Sequence, residues 1–272
     1  MRIMGIIAGI LRETGGAWRC TEDWRSTLRL TFDILYSRLL RFGMPNWGGL
    51  RQVRLKSGLI VTYRLNRGDL QALREVIFQE CYRPALLPAS GTFVDLGANI
   101  GLASLWFWKR FGFSKVIAVE PDAENLEVLR ENFRLNGVQG EIVSGVVGAS
   151  GKTALFAPSS HSVLGHVSAK GIPVDVIDLD RLLRHEQVGL MKIDIEGAEQ
   201  NLVSGSLQWL ENVDAIIAEL HPTLVDCSFV VDRIVGAGFD YVPANSLEWP
   251  NADFFHAAIK KPSSERLCGL NR

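Results

Sequence analysis

The stretch Phe93-Val94-Asp95-Leu96-Gly97-Ala98-Asn99-Ile100-Gly101, followed by Val116-Ile117-Ala118-Val119-Glu120-Pro121, constrains this chain more than any other. An apolar run ends in an acid, a glycine-rich turn opens an amphipathic segment, and a second apolar run ends in another acid. That is the strand, loop, helix, strand order of a right-handed crossover. Glycines at 97 and 101 let the backbone bend sharply and approach a ligand with no Cβ in the way. Glu120, at the tip of the second strand, is placed to accept hydrogen bonds from both hydroxyls of a ribose.

The spacing tells against a nicotinamide dinucleotide, whose fingerprint needs glycine at the first, third and sixth positions. Counted from Gly97, those later positions hold Asn99 and Leu102. Asp95, Gly97, Asn99 and Gly101 instead form a polar pocket suited to an amino-acid moiety joined to a ribose. Together with Lys192-Ile193-Asp194-Ile195-Glu196-Gly197-Ala198-Glu199 and Glu219-Leu220-His221, these blocks resemble the FkbM family of S-adenosylmethionine-dependent methyltransferases. The resemblance covers roughly residues 75 to 260. It implies the Rossmann-like α/β fold of class I methyltransferases, a seven-stranded, mostly parallel sheet whose last strand is antiparallel, with S-adenosylmethionine as cofactor. It also implies O-methylation of a hydroxyl on a sugar, glycan, glycolipid or polyketide-type acceptor. Two alternatives stand beside it: N-methylation or protein methylation on the same fold, and a non-catalytic cofactor-binding or scaffolding subunit. Acids and a histidine at two successive strand ends speak for an enzyme.

Strand and helix signals alternate regularly from Thr92: strand to Asp95, helix from Gly101, strand 115 to 120, helix 122 to 136 closed by Gly137, and strand 141 to 147. Apolar strands follow at about 189 to 194, 213 to 219 and 239 to 243, and Phe254 to Ile259 can add a last one. Such alternation means a largely parallel sheet covered on both faces. The short link from Pro243 to Asn251 leaves no room for a crossover helix, so the last pair is antiparallel. The polar run from Pro158 to Gly171, with His161 and His166, reads as a lid or specificity loop.

With 272 residues and 47% hydrophobic content, the chain can bury one enzyme-sized core plus a short extension. We divide it into an N-terminal helical extension, 1–48, and a methyltransferase domain, 49–272, ahead of which the breaker cluster Gly43 to Gly49 marks the boundary. The domain opens on a short hairpin, Val53 to Leu65, and a helix capped by Asp69 and stopped by Pro84. A net charge of −1 gives no reason to expect nucleic acid as partner. Four scattered cysteines and no bilayer-length apolar run point to a cytoplasmic setting. Between Trp24 and Phe42, Leu28, Phe32, Leu35, Leu39 and Phe42 recur at helical spacing among Arg25, Arg29, Arg38 and Arg41. This helix either packs on the domain or a second copy, or contacts a membrane surface; Asp33 and the modest charge excess weigh for packing.

Ligands of open parallel sheets sit beyond the carboxyl ends of the strands. On that edge Asp95 serves as cap for the Asn99 and Ile100 amides and holds the amino-acid end of the cofactor, while Glu120 binds its ribose. Ser144, Gly145, Val146 and Val147 are placed around the adenine. Asp194 touches both cofactor and chemistry. His221 or Asp194 is the candidate general base, with Glu219 or Glu196 orienting the acceptor, and Pro222 keeps His221 out of a helix. His161, His166 and His256 are weaker candidates, Trp106, Phe107 and Trp108 are packing groups, and no metal is assigned.

Overall fold

The computed structural model describes residues 13–40, 48–65, 67–82, 90–158, 165–168, 170–242 and 255–261. Helices α1 (13–20) and α2 (Trp24–Leu40) precede a hairpin of β1 (Leu50–Arg54) and β2 (Ile60–Arg64), and α3 (Arg67–Leu73) runs into a π-helical turn at Arg74–Phe78. Then come β3 (Thr92–Leu96), α4 (Leu102–Phe111), β4 (Lys115–Glu120), α5 (Ala123–Asn136) and β5 (Gly140–Ser144). A side sheet of β6 (Thr153–Ala157), β7 (His166–Val167) and β8 (Ile172–Asp175) follows, then α6 (Leu179–Leu182), β9 (Val188–Ile193), α7 (Glu199–Ser204) and β10 (Ala215–Glu219). The described chain closes with α8 (Cys227–Gly236), β11 (Phe239–Val242) and β12 (Phe255–Lys260).

Seven strands form the central sheet in the order β11-β12-β10-β9-β3-β4-β5. The β10-β9, β9-β3, β3-β4 and β4-β5 pairs are parallel, whereas β12 runs antiparallel to both its neighbours. This is the fold that the alternation and the missing crossover require. Side chains alternate between two cores: Phe93, Val116, Ala118, Leu190 and Ile217 enter one, while Val94, Leu96, Ile117, Val119, Met191, Ile193 and Ile216 enter the other. By the same parity Asp95, Glu120, Lys192 and Glu219 belong with the first set, at the carboxyl ends of four strands. Above that face, Phe107 of α4 lies 4.6 Å from the Phe93 ring, and Tyr82 lies 5.8 Å from Phe107.

The hairpin is fastened to the sheet's helical layer by asparagines one turn apart on α5. Asn136 accepts from the Ile60 amide and donates to its carbonyl, at 2.8 and 2.7 Å; Asn132 does the same for Thr62 at 2.7 and 3.0 Å and also donates to the Ile100 carbonyl at 2.8 Å. Two amide side chains thus satisfy β2 as a further strand would.

Several sequence expectations change. Asp69 is not a helix cap: it lies within the first turn of α3 and accepts from the Arg64 backbone amide, Nε and Nη2. The helix begun there ends in a π turn by Phe78. The strand expected over 141 to 147 stops at Ser144, because residues 145–147 turn to meet the 175–177 segment through the Val146 and Val176 bridge. Where described, the polar run after Pro158 belongs to the small β6-β7-β8 sheet. Helix α2 packs on the domain, but through Leu30, Asp33 and Ile34; Leu28, Phe32 and Leu35 face outward. Residues 41–47, Pro84, His161, the 243–251 link and Cys268 lie outside the described residues.

Asn132→Ala should leave the Thr62 amide and two carbonyls buried without partners. A loss of about 2 to 3 kcal/mol in unfolding free energy is expected, read from denaturant midpoints, against less than about 0.5 kcal/mol for an exposed α5 position such as Glu127.

Candidate functional site

At the carboxyl edge the in-register pair Asp95 and Lys192 brings a carboxylate and an ammonium together across β3 and β9. Lys192 Nζ lies 3.1 Å from Asp95 and 3.3 Å from Asp194, and donates to the Gly97 carbonyl at 3.0 Å. Asp95 takes a further 2.6 Å hydrogen bond from Ser104. Burial alone would lower the lysine pKa, but the charges of Asp194 and Asp95 outweigh it and hold the ammonium firmly protonated. Contrary to the sequence expectation, the Asn99 amide goes to Glu120 rather than to Asp95, and Asp95 does not line the cavity. Its place is beneath the glycine turn, where Lys192 and Ser104 fix it.

The turn itself rises from left-handed backbone at Gly97 (φ 78°) and Asn99 (φ 51°). A Cβ on Gly97 would lie 1.8 Å from the Asp194 carbonyl oxygen. The glycine is therefore demanded by the close approach of two strand ends, a stronger requirement than ligand access. Asn99 donates its backbone N–H to Glu120 at 2.8 Å, and Glu120 also accepts from the Asp122 amide (3.0 Å) and the Asn125 side chain (3.1 Å). Only 4% exposed, Glu120 is pushed up to about 7 by burial, which the three donors only partly offset.

A cavity of about 440 Å³ runs along this edge, within the range of small-ligand sites. Gly97, Asn99, Glu120, Val146, Val147, Lys192, Asp194, Glu196, Glu219 and His221 all line it. Of the residues expected in the site, Asp95, Gly101 and Ser144 do not line it: Asp95 is buried below, Gly101 packs against Leu129, and Ser144 is exposed at the end of β5. His166 lines the wall from β7 beside Phe156, whereas His256 lies on β12, 3.2 Å from the Tyr241 hydroxyl. At the glycine turn, Asn99 Oδ1 is buried with no hydrogen-bond partner among the described residues. A ligand carrying amine or hydroxyl donors fits that end.

His221 organises the other end. Its Nδ1 is 3.0 Å from Glu199 Oε1, and its Nε2 is 3.4 Å from Glu196 Oε2. Glu199 is fully buried and accepts the Ile195 and Gly197 amides at 3.3 Å, so it anchors the imidazole to the turn after β9. Burial would lower the His221 pKa, yet the Glu199 hydrogen bond and the Glu196 and Asp194 charges prevail and raise it to about 9. Because this pKa is raised, the imidazolium stabilises the fold fully below its ordinary value of 6.5, and that contribution is lost as pH rises through 9. Glu219 is pushed up to about 8 and Glu196 to about 7, by burial first and the Asp194 charge second. Glu196 is itself held in left-handed backbone (φ 50°). Asp194, Glu196 and His221 present ligand atoms within 4.8 Å of one another; the positive charge among them is supplied here by Lys192 and His221.

Tyr82 and Glu75 complete the wall at this end, the Tyr82 hydroxyl donating to Asp194 at 3.3 Å, and Gln71 also lines the cavity. Sequence reasoning missed them because they precede the glycine motif and belong to a segment read only as a supporting helix. Asn125 and Asp122, beside Glu120, carried a readable signal: an acid directly after Glu120-Pro121 marks a helix cap, and Asp122 caps α5 by accepting the Glu124 and Asn125 amides.

Lys192→Met should strand two carboxylates at the strand ends. A loss of about 3 to 5 kcal/mol in unfolding free energy is expected, the scale for breaking a buried ion pair by removing one partner. A midpoint within about 1 kcal/mol of the unmodified chain would show that the lysine does not hold the turn.

The family model of the methyltransferase FkbM domain matches residues 95–241, from the acid of the first motif to the penultimate strand. Methyltransferase 1 of Beauveria bassiana is 25% identical over 197 residues, 61% of this chain and 79% of that protein. Methyltransferase sdnD of Sordaria araneosa is 27% identical over 185 residues, 53% of this chain and 71% of that protein. The hexuronic acid methyltransferase AglP of Haloferax volcanii is 29% identical over 134 residues, 47% of this chain and 54% of that protein. A solved FkbM methyltransferase from Methylobacillus flagellatus aligns with 94% of this chain and 60% of its own length, at 16% identity and a TM-score of 0.47. The chain thus spans less than two thirds of AglP and of that solved chain. With the family model covering more than half of its 272 residues, from the glycine turn through the Glu219 to His221 edge, the protein belongs to the FkbM methyltransferase family.

Proposed function

We propose that the protein uses S-adenosylmethionine to methylate a hydroxyl of a sugar, glycan, glycolipid or polyketide-type acceptor. One observation carries the reading: a single cavity joins a buried acid and an unpartnered amide oxygen at one end to a histidine held among carboxylates at the other. When bound, the cofactor supplies an activated methyl electrophile. The chain's part is to position both reactants and to manage one proton. Glu120 holds the ribose, Asn99 and the Gly97 turn take the amino-acid end, and Val146 and Val147 flank the adenine.

At the acceptor end, Glu199 orients the His221 ring through Nδ1, leaving Nε2 toward Glu196 and the cavity. Neutral His221 takes the acceptor proton at Nε2, while Glu196 and Glu219 accept hydrogen bonds from neighbouring hydroxyls. An end rich in carboxylates suits hydroxyl donors and disfavours an anionic group close to the reacting oxygen. The similarity to AglP, a hexuronic acid methyltransferase, supports a carbohydrate acceptor. We take the setting to be cytoplasmic, in keeping with the free thiols Cys20, Cys81 and Cys227; no described helix is long and apolar enough to cross a membrane. Incubation with isotopically labelled S-adenosylmethionine and a panel of carbohydrate and polyketide acceptors, read by mass spectrometry, tests the reading. Label found only on nitrogen acceptors would overturn it.

Cofactor affinity should depend on the charge of Glu120. A ribose donates to the carboxylate, so binding of S-adenosylhomocysteine, followed by calorimetry, should be full above pH 7 and weaken as pH falls through the Glu120 pKa of about 7. Glu120→Gln should bind more weakly by about 1 to 3 kcal/mol and lose this pH dependence.

Turnover should follow the free base of His221. Because its raised pKa keeps the ring protonated at neutral pH, kcat/KM should climb as pH rises toward about 9. His221→Asn should lower kcat by about 10² or more and flatten that limb, with S-adenosylhomocysteine affinity nearly unchanged. If turnover survives the substitution, Asp194 becomes the base.

A further inference from the structure

Helix α2 buries one face and leaves an apolar one outside. Leu30, Asp33 and Ile34 point into the domain, while Trp24, Leu28, Phe32 and Leu35 are 67%, 55%, 51% and 41% exposed. At 100° per residue these four fall within one stripe, Arg25 borders one edge of it, and Arg29 lies one step further round, exposed but donating to the Gln52 carbonyl at 3.2 Å. Asp33 is the only acid in the helix sequence, and the fold removes it from this surface: it is 2% exposed, accepts from the Tyr63 hydroxyl at 2.7 Å and faces Arg51 at 3.7 Å. The nearest preceding acids are Asp23, which caps the helix by accepting the Ser26 amide, and exposed Glu22 beyond it. The outward surface of α2 is thus apolar with a cationic border.

We propose that this face docks on an anionic phospholipid surface, with α2 lying in the interface plane. The charge pattern selects that occupant. A second copy packed antiparallel against the stripe would bring the two arginine edges together with no acid on either stripe to pair them, whereas lipid phosphates supply the anions. A tryptophan at the end of the stripe also suits a headgroup boundary, where one part of the ring is apolar and the other wet. Helix α1 extends the consequence to the cleft. Its Gly16 lies against the Phe78 ring and its Glu13 pairs with Arg74 at 3.2 Å, on the same helical segment whose Glu75 lines the acceptor end. Docking therefore sets the bilayer one element from that end, which suits an acceptor carried on a membrane lipid. That consequence rests on the proposed acceptor; the docking does not.

Co-sedimentation of the full chain with vesicles tests the docking independently of any turnover assay. The chain should bind vesicles of phosphatidylcholine mixed with phosphatidylglycerol and bind pure phosphatidylcholine far less. Arg25→Gln should weaken the partition by about fivefold. Phe32→Ser with Leu28→Ser should weaken it by at least about tenfold while S-adenosylhomocysteine affinity shows the domain intact. Absence of binding to the mixed vesicles, or binding indifferent to these substitutions, would overturn the proposal. So would a dimer in sedimentation velocity that Phe32→Ser dissolves, since the stripe would then belong to a second copy.

Discussion

Everything at the active edge hangs on the buried ammonium of Lys192. Its register with Asp95 joins two central strands, its second contact fixes Asp194 at the end of β9, and its third holds the Gly97 carbonyl in the turn. Burying these charges is costly, and the cost is offset only because each has a partner in place. The arrangement leaves no room between strand ends for a side chain at residue 97, and so the glycine turn and the ion pair require one another. Asn99, held in left-handed backbone by this turn, then aims its amide at Glu120 and its side chain at the cleft wall.

The two ends of the cleft differ in how their charges are kept. Glu120 stands among neutral donors, two backbone amides and the Asn125 side chain, and its ionisation is governed by burial. At the far end, carboxylates crowd one another around a single imidazole, so burial and mutual repulsion push Glu196 and Glu219 up while the same charges pull a proton onto His221. Separating proton affinities in this way gives one cavity two chemically distinct ends.

The N-terminal elements are built into the domain by polar contacts. Asn132 and Asn136 treat β2 as an extra strand, Arg64 ties the hairpin to Asp69 and Asn125, and the Tyr63 hydroxyl meets Asp33 from α2. These contacts reach the residues next to Glu120, so the hairpin braces the Glu120 end of the cleft. The division into an extension and a catalytic domain remains our reading of the boundary in the sequence; the described contacts join the two sides closely.

Local chemistry was legible in the sequence. Apolar runs ending in Asp95, Glu120, Lys192-Ile193-Asp194 and Glu219 announce strands whose tips share an edge, and Asp122 and Gly137 bracket α5 as helix signals should, because these preferences act over a few residues. Contacts between distant segments were not legible. Only the assembled sheet shows that Asp95 and Lys192 meet, that Gly97 is required by a carbonyl nearly a hundred residues away, and that Glu199 orients His221. The polar run from Pro158 to Gly171 read as a loop because its one strand, the two-residue β7, is too short to show alternation. Helix α2 makes the difference plainest. The sequence determined a helix with an apolar stripe, but which face turns inward shows only in the packing, where Leu30, Ile34 and Tyr36 enter the core and Asp33 meets the buried Tyr63 hydroxyl.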